Sequence, residues 1–256
     1  MIIPHKLDKD KHLYTSPGQY VLSTSDIIEL NGLKDVSSIP IKDLRYATYR
    51  GAVVHKAVEN YEQGREWQDL ATNAFMNYIE GWFSFRDDFD IEIVGPHEHD
   101  CVYLHDCGQA IGCTIDLRFL HRGYLYIGDL KTEGKKSGEE DPRPQFNYHL
   151  YKAARLAWRA QTQSYVDATV CDEDFMRSVD CKGVRRAIIR LHPGFKKGYA
   201  FHEFLEDDSM LWDGFVRVAQ AKNAAGFTLS QRQVDFPEGW VKAALEASLA
   251  HEEATL

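Results

Sequence analysis

The chain lacks a close Cys-x-x-Cys pair, a long apolar run, an internal repeat and any surplus of basic charge. Its five cysteines, Cys101, Cys107, Cys113, Cys171 and Cys181, are too far apart for zinc or iron–sulfur spacing, so no iron–sulfur cluster is expected. Their odd number, behind a Met-Ile-Ile-Pro-His-Lys start without secretory features, reads as reduced thiols in a cytoplasmic setting. No stretch approaches the roughly 20 apolar residues of a bilayer span, so no membrane partner is expected. With 30 Lys and Arg against 39 Asp and Glu, the net charge of -9 excludes a broadly basic nucleic-acid surface. Basic residues gather only locally, at Lys182, Arg185, Arg186, Arg190, Lys196 and Lys197, and at Lys135, Lys136 and Arg143. No low-complexity linker divides the 256 residues, which predicts a single domain over 1–256 with residues 1–45 as a less regular extension.

What the chain does have is a pair of acid-bearing strands. Ile111, Cys113, Ile115, Leu117 and Phe119 alternate with Gly112, Thr114, Asp116 and Arg118, a half-buried strand with Asp116 on its polar face. After the turn at His121-Arg122-Gly123, a second strand ends in Asp129-Leu130-Lys131. Strand side chains alternate, so Asp129 and Lys131 share one face and Leu130 points into the core. Two carboxylates meeting across a hairpin suit Mg2+ or Mn2+, which prefer oxygen ligands and can polarise a phosphate and activate a water. Lys131 then supplies a flexible point charge against developing negative charge.

Upstream, Ala47, Val54, Val58 and Tyr61 recur at helical spacing, with Gly64 as a stop. His55 and Glu59 project from one side of that helix. A neutral His55 imidazole can fill another coordination position and shift preference toward Mn2+, whereas Glu59 reads as a solvated helix face. The run 89–94 alternates as a strand and offers Glu92 as a third carboxylate. Downstream, a helix entered after Pro144 carries Gln145, Tyr148, His149 and Tyr151, whose amide and hydroxyl groups suit orienting a phosphate, a base or a water. The polar loop 133–143 reads as a connector beside the site.

The remaining order is a helix from Ser25, an aromatic helix over 67–85, a hairpin pairing 185–191 with 199–204, and a helix over 208–225. Helices around a central mixed β-sheet make the predicted class α/β.

These residues, in this order, resemble the PD-(D/E)XK nuclease superfamily in its RecB-like branch, which includes RecE-type phage exonucleases. The resemblance covers residues 45–160. It rests on Gly51 and His55 as a helical Gly-x-x-x-His, Gly112-Cys-Thr-Ile-Asp116, and Asp129-Leu-Lys131-Thr132. The family's helical Gln-x-x-x-Tyr has no match near Gln145, because His149 follows it by four and Asn147 precedes Tyr151 by four, which leaves the register open.

The resemblance implies a restriction-endonuclease-like core with metal ligands His55, Asp116, Asp129 and the Leu130 main chain. It also implies Asp116, Asp129, Lys131 and Gln145 in catalysis. The activity implied is a metal-dependent DNA exonuclease of phage recombination or processing, acting on linear ends in the host cytoplasm, as a homo-oligomer and alongside a single-strand annealing protein. The alternative is a catalytically silent nuclease-fold module that binds nucleic acid or a recombination protein.

Overall fold

A computed structural model describes residues 1–8, 13–17, 19–33, 39–70, 73–134 and 148–227, without the side chains of 73–74 and 148–153. The chain opens with three short strands, β1 (Lys6–Asp8), β2 (Leu13–Ser16) and β3 (Gln19–Val21). Helices α1 (Thr24–Leu30), α2 (Ile41–Glu62) and α3 (Asn73–Phe89) follow. Then come β4 (Glu92–Ile93), β5 (His99–Leu104), β6 (Ala110–Ile115), β7 (Leu117–His121) and β8 (Tyr124–Thr132). Beyond them lie α4 (Tyr148–Cys171), α5 (Glu173–Ser178), β9 (Val184–Leu191), β10 (Tyr199–Phe204) and α6 (Ser209–Ala224).

The central sheet has the order β10-β9-β8-β7-β4. It is mixed, because β8 and β9 run parallel while its other pairs run antiparallel. A parallel pair needs a crossover connection, and α4 lies in that connection. Helices on both faces of this sheet make the protein α/β. A β5–β6 hairpin and the small β1–β2–β3 sheet complete the strands.

Alternation along β8 divides two cores. Tyr126 and Leu130 face α2 and α3, packing with Trp82, Phe85 and Phe119. Leu125 and Ile127 face the opposite way, toward β5, β6, α1, α4 and α6, with Trp212 at the centre. Each fully buried large side chain such as Phe85 contributes roughly 1.5–3 kcal/mol. Where α3 crosses the β9–β10 turn, backbones nearly touch. A Cβ on Gly81 would lie 2.4 Å from the Gly198 carbonyl oxygen, and Gly198 itself sits at φ +75°.

Several expectations need correction. In 1–45 the expected helix from Ser25 is α1, but the β1–β2–β3 sheet before it was not foreseen, and Tyr14 packs over Gly112 of β6. The aromatic helix begins at Asn73 and ends at Phe89, so the expected strand over 89–94 shrinks to Glu92–Ile93. Asp90, with φ 46°, breaks between them. The expected strand over 111–120 is two strands, interrupted at Asp116. That break sends Ile115 to one core and Leu117 to the other, although both positions are odd-numbered and apolar. Arg118 is buried rather than on a polar face, its guanidinium stacked 3.8 Å from the Phe175 ring centroid. The expected hairpin 185–191/199–204 and the helix over 208–225 are present as β9–β10 and α6. Among the described residues no helix is long and apolar enough to cross a membrane.

Candidate active site

The site forms where α2 crosses the end of β8. Helix α2 packs Val54 and Val58 into the core against Leu130, which turns the neighbouring His55 toward the strand end. His55 Nε2 lies 2.8 Å from the Leu130 carbonyl oxygen. The carbonyl only accepts, so Nε2 is the donor in this contact. From the other side, the Leu130 N–H donates to Asp116 Oδ2 at 3.0 Å. Asp116 can reach it because it sits in the break between β6 and β7, outside the strand pairing.

Asp129 and Lys131 occupy the opposite face of β8 from Leu130, as the strand period predicts. The Asp129 carboxylate is fully buried. Lys131 Nζ donates to its Oδ1 at 2.9 Å and stands 2.7 Å from Oδ2, which has no hydrogen bond of its own. Burial pushes the Asp129 carboxyl well up from its ordinary value, and Asp116 adds to that while Lys131 opposes it. For Lys131 burial acts downward, but Asp129 and Asp116 outweigh it, and the net shift is up. The ammonium is therefore retained at neutral pH.

A small recess opens beside these groups, with about 10 Å³ of free room, about what one water or one ion occupies. His55, His97, Glu98 and Asp116 line it above Trp82 and Val58. Burial lowers His97 to about 4, with His55 adding and Glu59 opposing, so its ring is neutral. Its Nε2 is buried without a hydrogen-bond partner.

Carboxylate, imidazole and main-chain carbonyl are donor types that Mg2+ or Mn2+ takes, while Asp129 Oδ2 already has the Lys131 ammonium 2.7 Å away. Among the described residues, no three His, Cys, Asp or Glu side chains are already close enough together to hold an ion.

No family model and no curated protein matches this chain. Among solved structures, the crystal structure of SSO0001 aligns over 82% of this chain and 78% of its own, at 11% identity and a TM-score of 0.36. A likeness that remote carries neither family nor activity.

The structure thus gathers His55, Asp116, Asp129, Leu130 and Lys131. It leaves Glu92 out, because Glu92 is exposed and pairs with Leu120, four residues along β7 from Asp116 and roughly 13 Å away at strand rise. Gln145 lies outside the described residues, as do the loop residues 135–143. Tyr148 and Tyr151 fall in α4, with side chains outside the described set.

Two contributors escaped the sequence reading. Glu98 lines the recess with His55 and Asp116. On α4, Gln161 Oε1 accepts from Lys131 Nζ at 3.2 Å, and Gln161 Nε2 donates to Tyr165 OH at 2.6 Å. Gln161-Thr-Gln-Ser-Tyr165 has the Gln-x-x-x-Tyr spacing that the residues around Gln145 lack. That spacing was the available signal.

The basic segment does not stand open. Arg185 pairs with Glu203, Arg186 with Asp208, Arg190 with Glu133, and Lys197 with Asp88. Arg190 also packs over the Phe195 ring.

Proposed function

We propose that this protein is a divalent-metal-dependent nuclease of the PD-(D/E)XK type that hydrolyses DNA from linear ends. The observation that carries the reading is the meeting of Asp116, buried Asp129, Lys131 and His55 around one residue, Leu130. A bound Mg2+ or Mn2+ supplies Lewis acidity toward a phosphate and lowers the pKa of a water. Asp116 and Asp129 would hold the cation. His55 would add a nitrogen ligand of the kind that favours Mn2+. Lys131, steadied by Gln161, places its ammonium where charge grows on the phosphate oxygens during attack. Asp129 Oδ1 accepts a hydrogen bond from Lys131 and so fixes that ammonium's direction.

The same reading extends to a setting. A nuclease of this kind works in the host cytoplasm during phage recombination or DNA processing, as an oligomer around its strand and with a single-strand annealing protein to receive the product. The acid partners of Arg185, Arg186 and Arg190 argue against DNA binding along β9 and favour contact nearer the site mouth.

The experiment is digestion of end-labelled linear duplex and closed circular DNA with Mn2+, Mg2+ or EDTA, with Asp116→Asn and Asp129→Ala in parallel. Metal-dependent loss of the linear form, absent in both variants, is the expected result. The surviving label gives the polarity. If folded wild-type protein binds DNA and degrades neither form with either metal, the chain is a silent binding module.

A further inference from the structure

We propose that β10 is the docking edge for a second copy of this chain, joining two central sheets antiparallel across a two-fold axis at Phe201. The proposal goes beyond the nuclease reading and does not rest on it.

The first argument is an open ladder. β10 ends the central sheet, and among the described residues β9 is its only partner strand. The His192 N–H donates to the Gly198 carbonyl oxygen at 3.0 Å, so the even-numbered residues of β10 are the ones bonded to β9. The other side of β9 keeps the same phase, because its odd-numbered Leu191 carbonyl accepts from Glu133 beyond the end of β8. The N–H and C=O groups of Tyr199, Phe201 and Glu203 therefore point out of the sheet, and no described group hydrogen-bonds to them.

Open edges are ordinarily blunted by a proline, a lysine or a bulge. Tyr199-Ala-Phe-His-Glu-Phe204 has neither residue, and its register with β9 is unbroken. Its one full charge, Glu203, is turned onto Arg185 and Tyr126 of its own sheet. Helix α3 covers a face of β10, with Phe85 and Phe89 against Phe201.

The second argument is charge, and it selects the occupant. Lys196 and Lys197 are exposed just before β10, while Glu206 and Asp207 are exposed just after it, beside Leu205 at 75% exposure. Lys197 pairs with Asp88, and Lys196 has no ion pair among the described residues. Two copies aligned in parallel would set like charges together. Antiparallel alignment brings the basic end of each strand to the acidic end of the other. Centred on Phe201, it sets Tyr199 opposite the partner's Glu203 and Lys196 opposite the partner's Glu206. A slip in either direction puts an outward residue out of bonding phase or opposite one beyond β10. Such a contact is isologous, so it closes at two copies.

The test is sedimentation equilibrium of the full chain, for wild type, Lys196→Glu, Glu206→Lys, the double variant and Tyr199→Pro. Wild type should be a dimer. Each single charge variant sets like charges opposite each other twice across the axis, and should dissociate at least about ten-fold more readily. The double variant restores opposite charges and should recover most of that loss. Both positions are exposed, so thermal melts of the charge variants should match wild type. Tyr199→Pro removes an outward N–H at the first residue of the strand, where proline is tolerated, and should also weaken the dimer. A wild-type monomer at about 0.1 mM overturns the proposal, as does a dimer that none of the variants weakens. Weakening by both single variants without recovery in the double overturns the antiparallel register. None of these outcomes touches the nuclease reading, whose test is cleavage.

Discussion

Lys131 on β8 donates to the Gln161 side chain on α4 at 3.2 Å, so the crossover helix holds the ammonium from the side opposite Asp129. Gln161 is in turn held by the Tyr165 hydroxyl at 2.6 Å. A long lysine side chain otherwise samples many rotamers, and this clamp removes most of them.

Gln161→Ala should therefore lower the single-turnover cleavage rate by about 10- to 100-fold, the scale on which small misplacements act. Mn2+ affinity should stay near wild type, because Gln161 touches the lysine and not the acids. Lys131→Met should cut the rate further with the same near-normal affinity. Rapid-quench cleavage beside calorimetric titration separates the two effects, and a rate untouched in Gln161→Ala removes the clamp.

Asp208 caps a buried charge network. It is 2% exposed, accepts from Arg186 Nη2 at 2.7 Å and from Arg159 Nε at 2.9 Å, and stands at the start of α6. Asp208→Ala would leave Arg186, itself buried, without its counter-ion. A loss of about 3–5 kcal/mol is expected, read from the urea midpoint with Arg159→Ala as the milder comparison.

Asp167 predicts a pH dependence of the opposite kind to most acids. Burial raises it from 3.8 to about 6, against the hydrogen bond from Gln163. The folded state then holds the proton more tightly than the unfolded chain, so this group favours folding fully below the unfolded value. That contribution is lost as the pH rises to about 6, at a cost near 3 kcal/mol. Asp167→Asn cannot titrate. The stability difference between the variant and wild type should grow across this interval and flatten above it in urea melts at stepped pH. A difference independent of pH would show that Asp167 is solvated.

Gly81→Ala tests the contact between α3 and the β9–β10 turn. The new methyl would meet backbone at 2.4 Å, which cannot rotate away. About 1–3 kcal/mol of destabilisation is expected by thermal melting, despite alanine's better helix propensity.

The sequence made β8 legible in detail because strand alternation is a local property. Asp129 and Lys131 fall on one face and Leu130 on the other for that reason alone. The break at Asp116 was not legible, since Ile115 and Leu117 keep an unbroken apolar alternation while the chain changes core between them. Glu98 was hidden for a related reason. It belongs to no periodic element, and only the left-handed turn and the Asp116 carbonyl bring it to the recess. Glu92, in a cleaner pattern, drew attention and lies elsewhere. Gln161 sits in the middle of a long helix whose polar positions outnumber its functional ones. Its pairing with Lys131 depends on how α4 docks, which no local pattern encodes.

The parallel pairing of β8 with β9 also sets when the site can exist. His55, Glu98, Asp116 and Asp129 all leave the ribosome before Gln161, and the strand that closes the crossover follows later still. Domains fold as units, and non-local pairings form after local ones. On the nuclease reading, a half-made chain carries the acids and Lys131 before the clamp that steadies the lysine exists, so unfinished copies would cleave more slowly than the complete fold.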